Sequence, residues 1–173
     1  VSVISVDAQK VVKTIKIGRY PRGIAISNDS KLAYVAEMGG NRVHVINLED
    51  FTVTHIPIGS NPRAIVLSPD NTRMYVTMNL SGKVASWDLV ANKAGISVKT
   101  GEAARSLAIS ADGSTMFVVN FKSNTMSKVR TSDMKVLETI KACSEPIGVT
   151  YDAPTGNTWV ACYKGQIKIY SNN

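Results

Sequence analysis

Long apolar runs are missing from this 173-residue chain. Nothing in it approaches the roughly 18 consecutive apolar residues that a membrane-spanning helix needs. Cysteine and histidine are scarce, at two each, and Cys143 and Cys162 lie too far from His44 and His55 to share a zinc ion. A phosphate-cradling loop, a nucleophile elbow and an H-E-x-x-H helix are all lacking, so neither a metal nor a cofactor is expected. Runs of one charge are lacking too: 20 Lys and Arg against 13 Asp and Glu give a net charge of +7, yet no two basic residues are adjacent. Nucleic-acid binding needs clustered cations that release counterions, so the scatter points instead to a mildly basic surface whose Lys and Arg protect strand edges. The opening VSVISVDAQK has no initiating Met, basic leader or long apolar core. What remains is ordinary globular composition, 44% apolar and 19% charged.

One sentence recurs along this chain. SPDNTRMYVTM, residues 68–78, is echoed as SNDSKLAYVAE at 27–37, as SADGSTMFVVN at 110–120 and, degraded, as DAPTGNTWVAC at 152–162. Its aromatic positions Tyr34, Tyr75, Phe117 and Trp159 are spaced by 41, 42 and 42 residues. Each copy opens with turn-forming Pro, Asp, Asn or Gly and continues into a β-rich run.

The rest of each repeat alternates with period two. A strand type c is read at 1–6, 43–48, 84–89, 126–131 and 167–170, and a type d at 11–17, 53–58, 96–100 and 136–142. A turn bearing Pro21, Pro62, Ala104 or Pro146 leads to strand a at 23–27, 64–68, 106–110 and 148–152, and the recurring sentence is strand b. Four short strands per period, divided by Gly, Pro, Asn or Asp, predict an all-β fold. Repeats of about 40 to 45 residues with four strands are what a β-propeller blade requires. Helical repeats are excluded by the period-two alternation and the Val, Ile, Thr and Tyr content. Gly23, Ala64, Ser106 and Gly148 begin strand a, where converging inner strands leave room only for small side chains.

The turn proline, small residue, Ser-x-Asp turn and aromatic, together with the following c strand, resemble the YVTN-type β-propeller repeat of archaeal surface-layer and exported bacterial proteins. The resemblance spans the whole chain and implies antiparallel four-stranded blades used mostly for binding or scaffolding. The fourth copy loses the Ser-Pro-Asp turn, and the motif's Asn survives only as Asn120, with Glu37, Met78 and Cys162 elsewhere. Residues 1–173 are read as one partial propeller domain, with repeats at 19–59, 60–101, 102–143 and 144–173 completed by strands from 1–18. Seven blades would need about 290 residues at the observed period. The alternatives are a fragment of a larger ring, two chains forming one ring, or a four-bladed ring closing on itself. The surplus c strand at 1–6 favours a fragment or an assembly.

Arg22, Arg63 and Arg105 follow the turn position, with Ile147 in the fourth copy, and are predicted to ring one mouth of the channel. Such guanidinium groups repel by about 0.5 to 2 kcal/mol per pair at roughly 8 Å. An anion matching the guanidinium fork would relieve this, as would ion pairs with Asp29, Asp70 and Asp112. Glu37, Met78 and Asn120 at the ends of strand b, and Tyr20, Asn61 and Glu145 in the d–a turns, are expected on the same face. Cys143 and Cys162 replace the ends of strands d and b within one repeat, which suggests either a disulfide, itself favouring an extracytoplasmic location, or two free thiols. His44 and His55 are read as exposed polar positions, and Trp87 and Tyr170 as blade packing. The function expected is a non-catalytic binding or scaffold propeller, exported or at the cell surface. It would present its mouth to a protein partner or anionic ligand and could self-associate to complete the ring. The alternative is an enzyme-associated propeller, a lactonase-like hydrolase or cofactor-binding dehydrogenase module.

Overall fold

A computed structural model describes residues 1–171. β1 (Ser2–Ser5) pairs with β2 (Lys10–Thr14) as a two-stranded sheet. Next come three four-stranded antiparallel sheets. They comprise β3 (Pro21–Ile26), β4 (Leu32–Glu37), β5 (Arg42–Asn47) and β6 (Val53–Pro57); β7 (Pro62–Leu67), β8 (Arg73–Met78), β9 (Lys83–Asp88) and β10 (Lys93–Lys99); and β11 (Ala104–Ile109), β12 (Thr115–Asn120), β13 (Thr125–Arg130) and β14 (Lys135–Lys141). The last sheet holds β15 (Pro146–Asp152), β16 (Asn157–Cys162) and β17 (Ile167–Tyr170). Every sheet is a meander, and successive sheets stack along their inner strands β3, β7, β11 and β15. This is a β-propeller: four blades preceded by the outer half of another. The strand at 10–14 pairs with β1, so within this chain it does not complete the last blade, and β17 remains an edge.

The Ser-x-Asp sentence folds as it does because two side chains satisfy the turn backbone. Ser68 Oγ donates to Asp70 Oδ1 at 2.5 Å and accepts from the Arg73 N–H at 2.9 Å, while Asp70 Oδ1 accepts from the Thr72 N–H at 3.0 Å. Ser27 with Asp29 and Ser110 with Asp112 repeat this arrangement. The fourth copy substitutes a bond from the Thr155 hydroxyl to the Asp152 carboxylate.

Blade packing follows the pleat. Tyr34 shares one core cluster with the following blade's Ile65, Met74 and Val76, and Tyr75 shares another with Leu107, Met116 and Val118. Phe117 lies flat against Tyr151 at 5.7 Å between ring centroids. Trp87 is buried, as expected of blade packing, and Tyr170 packs on the last junction. The inner strands approach closely: a Cβ on Gly23 would lie 2.7 Å from the Cα of Ala64. That approach is why the position must be small.

Candidate functional site

Each inner strand opens with a bulge. Ala104 pairs with Asn120 but Ser106 already pairs with Val119, leaving Arg105 as the extra residue. The register slips by one residue in the same way between Pro21 and Ile24, Pro62 and Ile65, and Pro146 and Gly148. A bulge bends the strand and re-aims the unpaired side chain, here Arg22, Arg63, Arg105 and Ile147. The residue before each proline position lies in the left-handed region: Tyr20 at φ 54°, Asn61 at 58°, Ala103 at 56° and Glu145 at 54°. Their carbonyls accept from the backbone N–H of Met38, Asn79, Phe121 and Tyr163 at 3.0 to 3.1 Å. The bulge and the b–c turn of each blade are thereby tied together, and residues 38, 79, 121 and 163 stand beside the arginine row.

The three guanidinium groups sense one another. Burial, then the neighbouring Arg105 and Arg22, push Arg63 below its ordinary value. Burial lowers Arg105 too, with Tyr163 opposing and Arg22 adding to the effect. Ion pairs among the described residues run from Arg42 and His44 to Glu37 and from Arg130 to Asp133, none of them using this set. The pairing with Asp29, Asp70 and Asp112 considered from sequence is not formed, because those carboxylates close their own turns. Arg63 Nη1 instead lies 3.1 Å from Met38 Sδ. The Arg105 guanidinium stands 4.8 Å from the Phe121 ring centroid and 6.0 Å from that of Tyr163. Tyr20 is exposed and carries Arg19 at 5.7 Å, and Asn61 is half-buried.

The ends of strand b take a different place from the one expected. Glu37, Met78, Asn120 and Cys162 are buried, each beside the d–a connection. Glu37 accepts from the Arg19 N–H at 2.8 Å and meets His44 Nε2 at 2.9 Å. Burial pushes its carboxyl up, but those bonds and the charges of His44 and Arg42 outweigh it and hold Glu37 below the ordinary value. Asn120 bonds Thr100, Thr125 and Ser127. A Cβ on Gly101 would come 2.7 Å from the Asn120 carboxamide, and one on Gly18 would strike the Glu37 carboxylate. Strand-b ends therefore fill the space over the glycine that ends the preceding d strand, so Glu37 and Asn120 are corrected from ligand-facing to blade-junction residues. His44 is corrected as well, from exposed to buried, because it partners Glu37. His55, opposite it on β6, is exposed.

In the fourth copy the same station holds a disulfide between Cys143 and Cys162, with Cα atoms 6.0 Å apart. It joins the connection leaving β14 to β16, so it fastens the third blade to the fourth. Among the described residues no group of three or more His, Cys, Asp or Glu could hold a metal ion, and no helix is long and apolar enough to cross a membrane. Sequence reasoning missed Phe121 and Tyr163. They are the residues immediately after strand b, and each step along the chain turns the side chain to the opposite side.

The fold defines the chain as a β-propeller whose inner strands open with bulges, three of them bearing an arginine. No protein-family model matches it. It is 33% identical over 102 residues to lactonase drp35 of Staphylococcus haemolyticus, covering 53% of this chain and 30% of that protein. It is 29% identical over 117 residues to antigen Lp49 of Leptospira interrogans, covering 63% of this chain and 25% of the antigen. The matched stretches thus span under a third of these relatives. Hydrazine synthase of Kuenenia stuttgartiensis superposes with a TM-score of 0.81 at 19% identity, over 98% of this chain and 59% of that one. Virginiamycin B lyase of Staphylococcus aureus does so with 0.70 at 16%, over 87% and 55%. At those identities the two structures share the fold alone. The expectation of a propeller without enzymatic activity is corrected by the sequence comparison, since a relative at 33% identity is named as a lactonase.

Proposed function

We propose that the channel mouth bearing Arg22, Arg63 and Arg105 seats an anionic ligand, with substrate and product included, in an exported or cell-surface propeller built of YVTN-type repeats. One observation carries the reading: three neighbouring guanidinium groups, re-aimed by equivalent bulges, have no carboxylate partner among the described residues. A guanidinium is always charged and matches a carboxylate or phosphate through paired N–H donors. The likeness to lactonases supports the hydrolase form of this reading, because opening a cyclic ester yields a carboxylate that such a mouth would hold. The disulfide supports an extracytoplasmic location, and the repeat period and turn motif support the YVTN-type assignment. Residues 1–173 act as one domain whose outer faces are covered by further blades or a second copy.

Arg63→Ala tests the seat. Titration with acetate or inorganic phosphate, followed by NMR shifts of the mouth residues, should show weaker binding in the variant. The melting temperature should move by no more than a few degrees. Unchanged binding with a large loss of stability would overturn the reading.

A further inference from the structure

The mouth is not uniformly cationic. The position after strand b holds Met38, Asn79, Phe121 and Tyr163, so three of its four occupants are apolar or aromatic. These side chains have no share in the buried core: Phe121 is half-buried and Tyr163 is 64% exposed. The two rings meet edge to face at 6.3 Å between centroids. Arg105 lies against both rings, whereas Arg22 and Arg63 have no aromatic partner among the described residues. One sector of the mouth therefore presents guanidinium groups without a carboxylate partner among the described residues, and the adjoining sector presents an aromatic wall whose charge is already engaged by ring faces. A small hydrated anion gains nothing from that wall. A ligand with an anionic head and a flat apolar body gains from both sectors.

Resting on the anion-seat reading, we infer that the mouth takes an amphiphilic carboxylate, its head between Arg22 and Arg63 and its apolar or aromatic body against Phe121 and Tyr163. Met38, beside Arg63, lines the junction of the two sectors. The polarizable thioether of such a residue accommodates ring edges. Recognition then divides: the guanidinium groups supply charge and orientation, and the rings supply discrimination between long and short acids.

The test compares phenylacetate with acetate on the intact chain and on Arg63→Ala, Phe121→Ala and Tyr163→Ala, by NMR titration. Phenylacetate should bind more tightly than acetate, and Arg63→Ala should weaken both. Phe121→Ala and Tyr163→Ala should weaken phenylacetate by about threefold to tenfold, the scale of an aromatic pair, and leave acetate unchanged. If Arg63→Ala weakens both acids while neither ring variant separates them, the amphiphile inference is wrong and the anion seat stands. If Arg63→Ala changes neither, both readings fall. Tyr163 is exposed, so its variant keeps the test decisive even where Phe121→Ala loosens the blade junction.

Discussion

Asp112 shows what one short side chain settles. Its carboxylate accepts from the Ser110 hydroxyl and from the N–H and hydroxyl of Ser114, and these bonds lower its pKa from 3.8 to about 2. A carboxyl held below its ordinary value adds stability that is complete above pH about 4 and is lost as pH falls through about 2. Asp112→Ala should lower the melting temperature at neutral pH, and its difference from the parent should shrink between pH about 4 and about 2. A difference that stays constant in melts across that range would show that the turn bonds do not depend on the charge. This role was legible in SADGS and its copies, because Ser-x-Asp is a turn grammar with few readings. The strand-b ends were not. Glu37 and Asn120 look like variable surface residues in a single sequence, and only the facing Gly18 and Gly101 reveal a space that a buried side chain fills. The arginine row was legible by register, but its bulge was not, because no sequence mark announces one extra residue at the start of β3, β7 or β11.

At the scale of elements, period-two alternation located every strand, with ends that differ by one to a few residues. Strand a begins at Pro21 where 23 was expected, since the bulge still allows pairing to Glu37. The Cys143–Cys162 pairing was legible because two substitutions fall at stations that meet in each repeat. Closing a loop of 19 residues is worth about 3 kcal/mol in the chain-entropy model. Denatured, unreduced protein should show no titratable thiol. Reduction should lower the melting temperature by about 6 to 12 °C, taking about 2 to 4 °C per kcal/mol for a chain of this size. A free-thiol assay and paired melts check both, and an unchanged melt after complete reduction would refute the stabilising role.

At the largest scale, apolar side chains on the first and last blades of this chain are exposed where their counterparts are covered. Tyr34, Tyr75 and Phe117 are 5%, 2% and 2% exposed beneath their following blades, while Trp159, their counterpart, is 38% exposed beside Ile167 and Ile169. At the other end Ile24 and Ile26 are exposed, whereas Ile65 and Leu107, the counterparts of Ile24, are buried and Leu67 and Ile109, the counterparts of Ile26, are half-buried. If a second copy covers these faces as proposed, sedimentation should show association that rises with concentration, and Trp159→Glu should suppress it. A monomer at every concentration would count against that cover. The disulfide also matters to the chain under mechanical load. Three blade connections are held by noncovalent side chains, but the last is covalent, so tension on the two ends would part the earlier junctions and leave the loop from 143 to 162 unextended. In single-molecule stretching, the oxidised chain should reach a contour about 60 Å shorter than the reduced one, at about 3.3 to 3.6 Å for each residue withheld.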